Sequence, residues 1–271
     1  MSALLKDKVV VITGASSGIG KACSFAFAKQ GCQVMLAARD EKKLAEVSEA
    51  IRSSGSTVAY CKTDVSMEDD CRRLMEETIR QFGRIDILLN NAGISMRAVF
   101  ADLDLKVLRQ LMDINFWGTV CCTKYAMNEI LKNKGSIIGV SSIAGYQGLP
   151  GRTGYSSSKF AMNGFLSALR VENLKKGIHV MVVCPGYTAS NIRNTALNKE
   201  GKPQGDSPFD ENKLMSSEAV ADAIVNGVIK RKRTIILTTQ GKLTVLLGKF
   251  FPSFIDRKAF ELVSKEKDSP F

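Results

Sequence analysis

Tyr155 and Lys159 stand four residues apart and are the pair in this sequence best suited to proton chemistry. On a helix that spacing puts both side chains on one face, one turn apart. A free phenol has a pKa of about 10, so only about one in a thousand is ionised at neutral pH. A buried ammonium nearby favours the phenolate. Bringing the phenol near neutrality takes about 3–4 kcal/mol, which two close cations in a partly dry site can supply. A tyrosine tuned in this way can give a proton to a carbonyl oxygen and take it back in the reverse direction. Alone, Y-x-x-x-K also describes one face of an ordinary amphipathic helix.

A second group of residues is suited to holding an anion. In the stretch 13–20, TGASSGIG, glycines stand at Gly14, Gly18 and Gly20. They remove Cβ atoms where a backbone must turn sharply and approach a pyrophosphate. A helix starting there would aim its N-terminal N–H groups at that anion. A glycine triplet is weak evidence by itself and gains force between a strand and a helix. Further along, a dinucleotide fold that uses NAD(H) places an acid at the end of its second strand. Here Ala38 holds that position and Arg39 follows. A carboxylate repels a ribose 2′-phosphate, whereas a guanidinium pairs with it and stacks on adenine. NADP(H) is therefore the expected cofactor and NAD(H) the alternative. Asp40 is read as the N-cap of the next helix.

The elements that must position these residues alternate regularly. β-branched runs at 9–13, 34–38, 58–61, 86–90, 137–141, 180–184 and 234–237 read as strands. Helical patterns fill 18–31, 41–53, 68–82, 105–131 and 155–175, with another from about 218. Strands with few alternating polar residues suit a parallel sheet buried on both faces. The spacing predicts right-handed crossovers and one doubly wound α/β Rossmann domain. That domain is expected over 1–241, with a polar loop at 187–215 lying against the substrate and an apolar, basic extension at 242–271.

The glycine spacing resembles that of the classical short-chain dehydrogenase/reductase family. Further motifs stand in that family's order: Asn90-Asn-Ala-Gly93, Asn115, Ser142 thirteen residues before Tyr155, Tyr155-Ser-Ser-Ser-Lys159, and Pro185-Gly186. The resemblance spans roughly residues 5–240. It implies a catalytic set of Asn115, Ser142, Tyr155 and Lys159, with Ser142 orienting the substrate oxygen. Asn115 would hold a water linking Lys159 to solvent, and Ser141 would point away. It also implies cofactor contacts from Gly14, Ser16, Ser17, Gly18, Ile19, Gly20, Arg39, Asp64, Val65, Asn91, Ala92 and Gly93. Tyr155, Lys159, Pro185, Gly186, Thr188 and Ser190 would contact the nicotinamide half. The implied reaction is hydride transfer between a nicotinamide and a carbonyl or secondary alcohol. Ile94, Met96, Ile143, Tyr146, Leu149, Tyr187 and Ile192 are candidates for the pocket wall; their mostly apolar character points to a steroid, lipid or xenobiotic ketone, with no charged anchor for a carboxylate. The implied assembly is a homodimer or homotetramer through the helices at 105–131 and 155–175.

Composition narrows the alternatives. The chain has 271 residues, 45% of them hydrophobic and 24% charged, which suits one folded domain. Seven cysteines without a C-x-x-C pair point to a reducing, cytoplasmic compartment, with no metal site and no disulfide framework. Residues 1–8 do not read as a signal peptide, and no stretch is long enough to span a membrane. A net charge of +11 admits a nucleic-acid partner. The intact glycine loop and Tyr–Lys pair argue against one, and also against a non-catalytic dinucleotide sensor on the same fold. The run at 230–233 reads as cations at a helix C-terminus. Residues 242–260 could cover the pocket, form an interface or touch a membrane surface.

Overall fold

Each expected strand forms, and the structure, a computed structural model, pairs all of them in parallel. It describes residues 4–189, 191–205, 214–267, 269 and 271. The strands are β1 (Val9–Thr13), β2 (Gln33–Ala38), β3 (Val58–Lys62), β4 (Ile87–Asn90), β5 (Ser136–Val140), β6 (His179–Cys184) and β7 (Thr234–Ile236). Their order is β3-β2-β1-β4-β5-β6-β7. The order reverses between β1 and β4, and the loops leaving the C-terminal ends of those two strands part there. In open α/β sheets such a crevice binds ligands.

Period-two alternation on β1 builds two core layers. Val10 and Ile12 face Phe27 of α1 (Gly18–Lys29), Leu44 of α2 (Glu41–Arg52) and Ile224 of α7 (Ser217–Ile229). Val11 faces the other way, into the layer with Leu74 of α3 (Glu68–Phe82), Ala126 of α5 (Gly118–Lys132) and Leu166 of α6 (Thr153–Glu172). Burying each large side chain contributes about 1.5–3 kcal/mol. The strands therefore need to be apolar on both faces, which is how they read in the sequence.

Local chemistry sets the helix ends. The Asp40 carboxylate accepts from Lys43 N and caps α2, as expected. Ser216 caps α7 through Ala219 N. Gly83, at φ +75°, ends α3 in the left-handed region. The stretch 105–131 departs from a single helix. It is α4 (Leu105–Leu111), a π-helical turn (Met112–Trp117) and then α5. The widened turn lets a side chain enter the site, as described below. The basic run at 230–233 lies just past α7 and turns into β7. Arg231 there adopts φ +46° and donates to Gly177 O.

After β7 the chain forms α8 (Thr239–Leu247) and α9 (Pro252–Ser264). The 241/242 boundary expected for the extension falls inside α8. Thr238 caps α8 through Gly241 N, and α9 buries Ile255, Ala259 and Val263. Among the described residues, no helix is long and apolar enough to cross a membrane.

Candidate active site

The loop after β1 is shaped by contacts that exclude side chains. Gly14 and Gly18 take φ +67° and +52°. A Cβ on Gly20 would lie 2.2 Å from Gly14 O, and one on Gly14 would lie 2.9 Å from Ala92 Cα. The Thr13 hydroxyl accepts from Asn91 N and Ala92 N, both at 3.0 Å, and Asn91 Nδ2 donates to Thr13 O at 2.9 Å. These bonds tie the loop to the turn after β4 across the switch point. Ser17 gives α1 no side-chain cap, so the helix presents its first N–H groups to the loop. A cradle that glycines keep open, with uncapped amides beneath it, fits a pyrophosphate. Ser16, Ser17, Gly18 and Ile19 all keep some exposure there.

The other expected cofactor residues are spread along the same sheet edge. Arg39 is exposed just past the end of β2, and among the described residues it makes no hydrogen bond or ion pair. Asp40 beside it is occupied as a cap and also meets Lys43 Nζ at 3.0 Å. The Asp64 carboxylate accepts from Ser66 N at 3.0 Å and Ser66 Oγ at 2.7 Å, a local turn after β3. Val65 is buried and wedged against Gly118, where a Cβ would come within 2.8 Å of its methyl group. Pro185 and Gly186 leave β6. A Cβ on Gly186 would lie 2.4 Å from the Thr238 methyl group, so this turn packs on the start of α8. Thr188 is buried, and its hydroxyl donates to Gly186 O. Ser190 lies outside the described residues.

Ser142, Tyr155 and Lys159 converge beyond the ends of β4 and β5. Ser142 accepts from Ala144 N at 3.1 Å and caps the short 3-10 turn Ile143–Gly145. It also acts on the Tyr155 phenol, favouring the ionised form. Ser141 is buried beside Gly145 instead, which leaves Ser142 to face the tyrosine. Lys159 is 3% exposed, donates to Val140 O at 2.9 Å and lies 5.8 Å from the centre of the Tyr155 ring. A Cβ on Gly93 would be 3.5 Å from Lys159 Nζ and 3.1 Å from Asn115 Oδ1, so a bare backbone passes beside both.

Burial dominates the electrostatics. It pushes the Tyr155 phenol up, opposed by Ser142. Burial also brings Lys159 down to about 8. The sequence-based expectation that Lys159 lowers the Tyr155 pKa thus has no counterpart in the chain alone, where desolvation is the larger effect.

Asn115 sits fully buried in the π-helical turn. Its Oδ1 accepts from Ile94 N at 2.8 Å, while Nδ2 donates to Ile94 O at 3.0 Å and to Ser158 Oγ at 2.9 Å. Ser158 Oγ in turn donates to Tyr155 O. Asn115 therefore joins the turn after β4 to the helix carrying Tyr155. Thr13 and Ser158 were not expected in these roles; each lies inside a motif but carries no signal of its own. One of the expected pocket-wall residues, Met96, is fully buried in a small cluster against Tyr155.

Comparison with known proteins agrees with this geometry. A family model described as short chain dehydrogenase matches residues 8–201. The chain is 35% identical over 263 residues to 11-beta-hydroxysteroid dehydrogenase 1A of Arabidopsis thaliana, covering 93% of this chain and 74% of that protein. It is 36% identical over 245 residues to Dehydrogenase/reductase SDR family member 7B of Rattus norvegicus, covering 87% and 75%. Among solved structures, a short chain dehydrogenase/reductase from Burkholderia phymatum in complex with NAD has a TM-score of 0.84 at 22% identity, covering 92% of this chain and 95% of that one. An alcohol dehydrogenase from Thermococcus sibiricus complexed with 5-hydroxy-NADP has a TM-score of 0.73 at 23% identity, covering 85% and 94%. At these identities the two structures speak to the fold.

Proposed function

The chain belongs to the short chain dehydrogenase family, whose members are oxidoreductases using a nicotinamide dinucleotide, and from that premise we propose an NADP(H)-dependent enzyme acting on a carbonyl or secondary alcohol. The observation that carries the reading is the meeting of Ser142, Tyr155 and Lys159 beside Gly93 at the sheet's switch point. When bound, the dinucleotide supplies or accepts the hydride. Ser142 holds the substrate oxygen against Tyr155. The Tyr155 hydroxyl gives that oxygen its proton in reduction and takes it back in oxidation. Lys159 keeps a positive charge within reach of the phenol below pH 8, and Asn115 fixes the helix that carries both. Arg39, exposed and beside an Asp40 already engaged as a cap, supports recognition of a 2′-phosphate.

The substrate reading is a ketone or alcohol with an apolar body. The test is consumption of NADPH, and separately of NADH, against ketones graded by size and polarity, with Tyr155→Phe alongside. We expect turnover by the native chain. We also expect at least a hundredfold loss in the variant, the ordinary size of an acid–base contribution, with cofactor binding retained. Near-normal turnover by Tyr155→Phe would sink the assignment. Bound cofactor with no turnover of any ketone would favour a dinucleotide sensor.

The same reading covers assembly and location. Trp117 and Phe160 expose apolar surface beside the Phe116–Phe165 contact, which supports pairing of two copies through α5 and α6. Leu243, Leu246, Phe250, Phe251 and Phe254 are each at least half exposed along α8 and the start of α9. Lys242, Lys249 and Lys258 are interleaved with them, as suits contact with an anionic membrane surface. All seven cysteines are free, which supports a reducing compartment such as the cytoplasm.

A further inference from the structure

Next to Tyr155, and outside the set above, lies a buried ionic cluster built from three distant parts of the chain. Arg152 is the residue immediately before α6, three positions ahead of Tyr155. Its Nη2 donates to both oxygens of Glu266, at 2.8 and 2.6 Å. Arg97 follows the turn after β4, and its Nε lies 3.4 Å from Glu266 Oε2. The Glu266 side chain is 1% exposed and each arginine side chain 11%. The two arginine segments pack together, since a Cβ on Gly154 would lie 3.0 Å from Met96 Sδ. Met96 and Tyr155 belong to the same apolar cluster.

The cluster is short of acceptors. Among the described residues two guanidinium groups meet one carboxylate, leaving a net positive charge, and Arg97 Nη2 also donates to Lys267 O. Arg152 Nη1 and Arg97 Nε are buried without a hydrogen-bond acceptor. One arginine suffices to hold Glu266 in place, and a second buried one is costly unless something else completes it. Its position tells what that is. Tyr155 packs against Met96, the neighbour of Arg97, and the Arg152 charge acts on the phenols of both Tyr155 and Tyr187, so the cluster borders the catalytic tyrosine.

We propose that Arg97 and Arg152 are the acid-recognising end of the substrate site, and that Glu266 is a built-in carboxylate which the substrate's own acidic group displaces. The proposal rests on the oxidoreductase reading above. The substrate is then an oxo- or hydroxy-carboxylate with an apolar middle. Its reacting carbon lies at Ser142 and Tyr155, and its carboxylate takes the bidentate seat that Glu266 now fills. The exchange is of one carboxylate for another, and no proton is gained or lost.

The test uses the full chain and matched pairs of probes, 6-oxoheptanoate and 10-oxoundecanoate with their methyl esters. The readout is the acid-to-ester ratio of kcat/KM. We expect the native ratio to exceed about ten, the worth of one charge-assisted hydrogen bond. Arg97→Gln should lower it at least tenfold, and Glu266→Gln, which removes the competing negative charge, should raise it severalfold. A purely structural latch moves acid and ester alike and leaves the ratio unchanged in both variants; that result overturns the proposal while the oxidoreductase reading stands. Turnover of neither acids nor esters with either cofactor counts against the oxidoreductase reading instead. Thermal shift then decides the acid site: 10-oxoundecanoate should raise the Tm of Glu266→Gln more than that of the native chain, and its methyl ester should not. Equal shifts, or none, end the proposal.

Discussion

At the scale of single residues, two side chains carry separable consequences. Arg39 is exposed, and in the function proposed above it would touch only the part of a cofactor that distinguishes NADPH from NADH. Arg39→Ala should weaken NADPH binding about tenfold or more and leave NADH binding nearly unchanged, as read from cofactor fluorescence titrations. Equal losses for both would remove the basis for NADP(H). Lys159 is the opposite case, a buried cation whose burial brings it down to about 8 from an ordinary value of about 10.4. Between those pH values the unfolded chain binds more protons than the folded one. The Lys159 contribution to stability therefore rises as pH climbs from about 8 to about 10.4, and below pH 8 its buried charge costs about 3 kcal/mol. Lys159→Met should abolish turnover and raise stability at pH 7 by up to that amount, with a smaller gain over the native chain at pH 10; urea unfolding of both chains at the two pH values measures the difference. The Tyr155 and Lys159 spacing was legible because four residues on a helix are neighbours. The direction of the Tyr155 shift was not, since it depends on how much water the folded chain removes.

At the scale of elements, the glycine loop was fully legible, because its requirement is local: a backbone that turns and leaves no room for Cβ. Gly20→Ala would put a methyl group against Gly14 O, a backbone atom with nowhere to go. We expect at least tenfold weaker binding of NADPH and NADH alike, with a stability loss of about 1–3 kcal/mol on thermal unfolding. That symmetry separates damage to the cradle from the selective effect at Arg39. The π-helical turn was not legible. Apolar residues continue through 105–131 at nearly helical spacing, and one extra residue in a turn leaves little trace in that pattern. Only the fold shows why the turn widens there: Asn115 must reach the main chain of Ile94 and the hydroxyl of Ser158 at once.

At the scale of the whole molecule, the parallel sheet with helices on both faces followed from alternation of strand and helix, and the strand order seen in the fold places the loops of β1, β4, β5 and β6 at one edge. What the sequence could not convey is contact between segments far apart, above all Arg152 with Glu266 across 114 positions. The outward row of Leu243, Leu246, Phe250, Phe251 and Phe254 belongs to the same extension. In flotation with anionic phosphatidylserine vesicles, the native chain should rise with the lipid, and replacing Phe250 and Phe251 by Ser should leave most of it at the bottom. Flotation of both alike would remove the membrane contact. The long reach of Glu266 also imposes an order in time. A chain is made from its N-terminus, and domains begin to fold while synthesis continues. The cradle formed by β1, α1 and the turn after β4 is complete when less than half the chain has left the ribosome. The two arginines must wait for Glu266, so every segment of the cradle has emerged well before they gain their carboxylate partner.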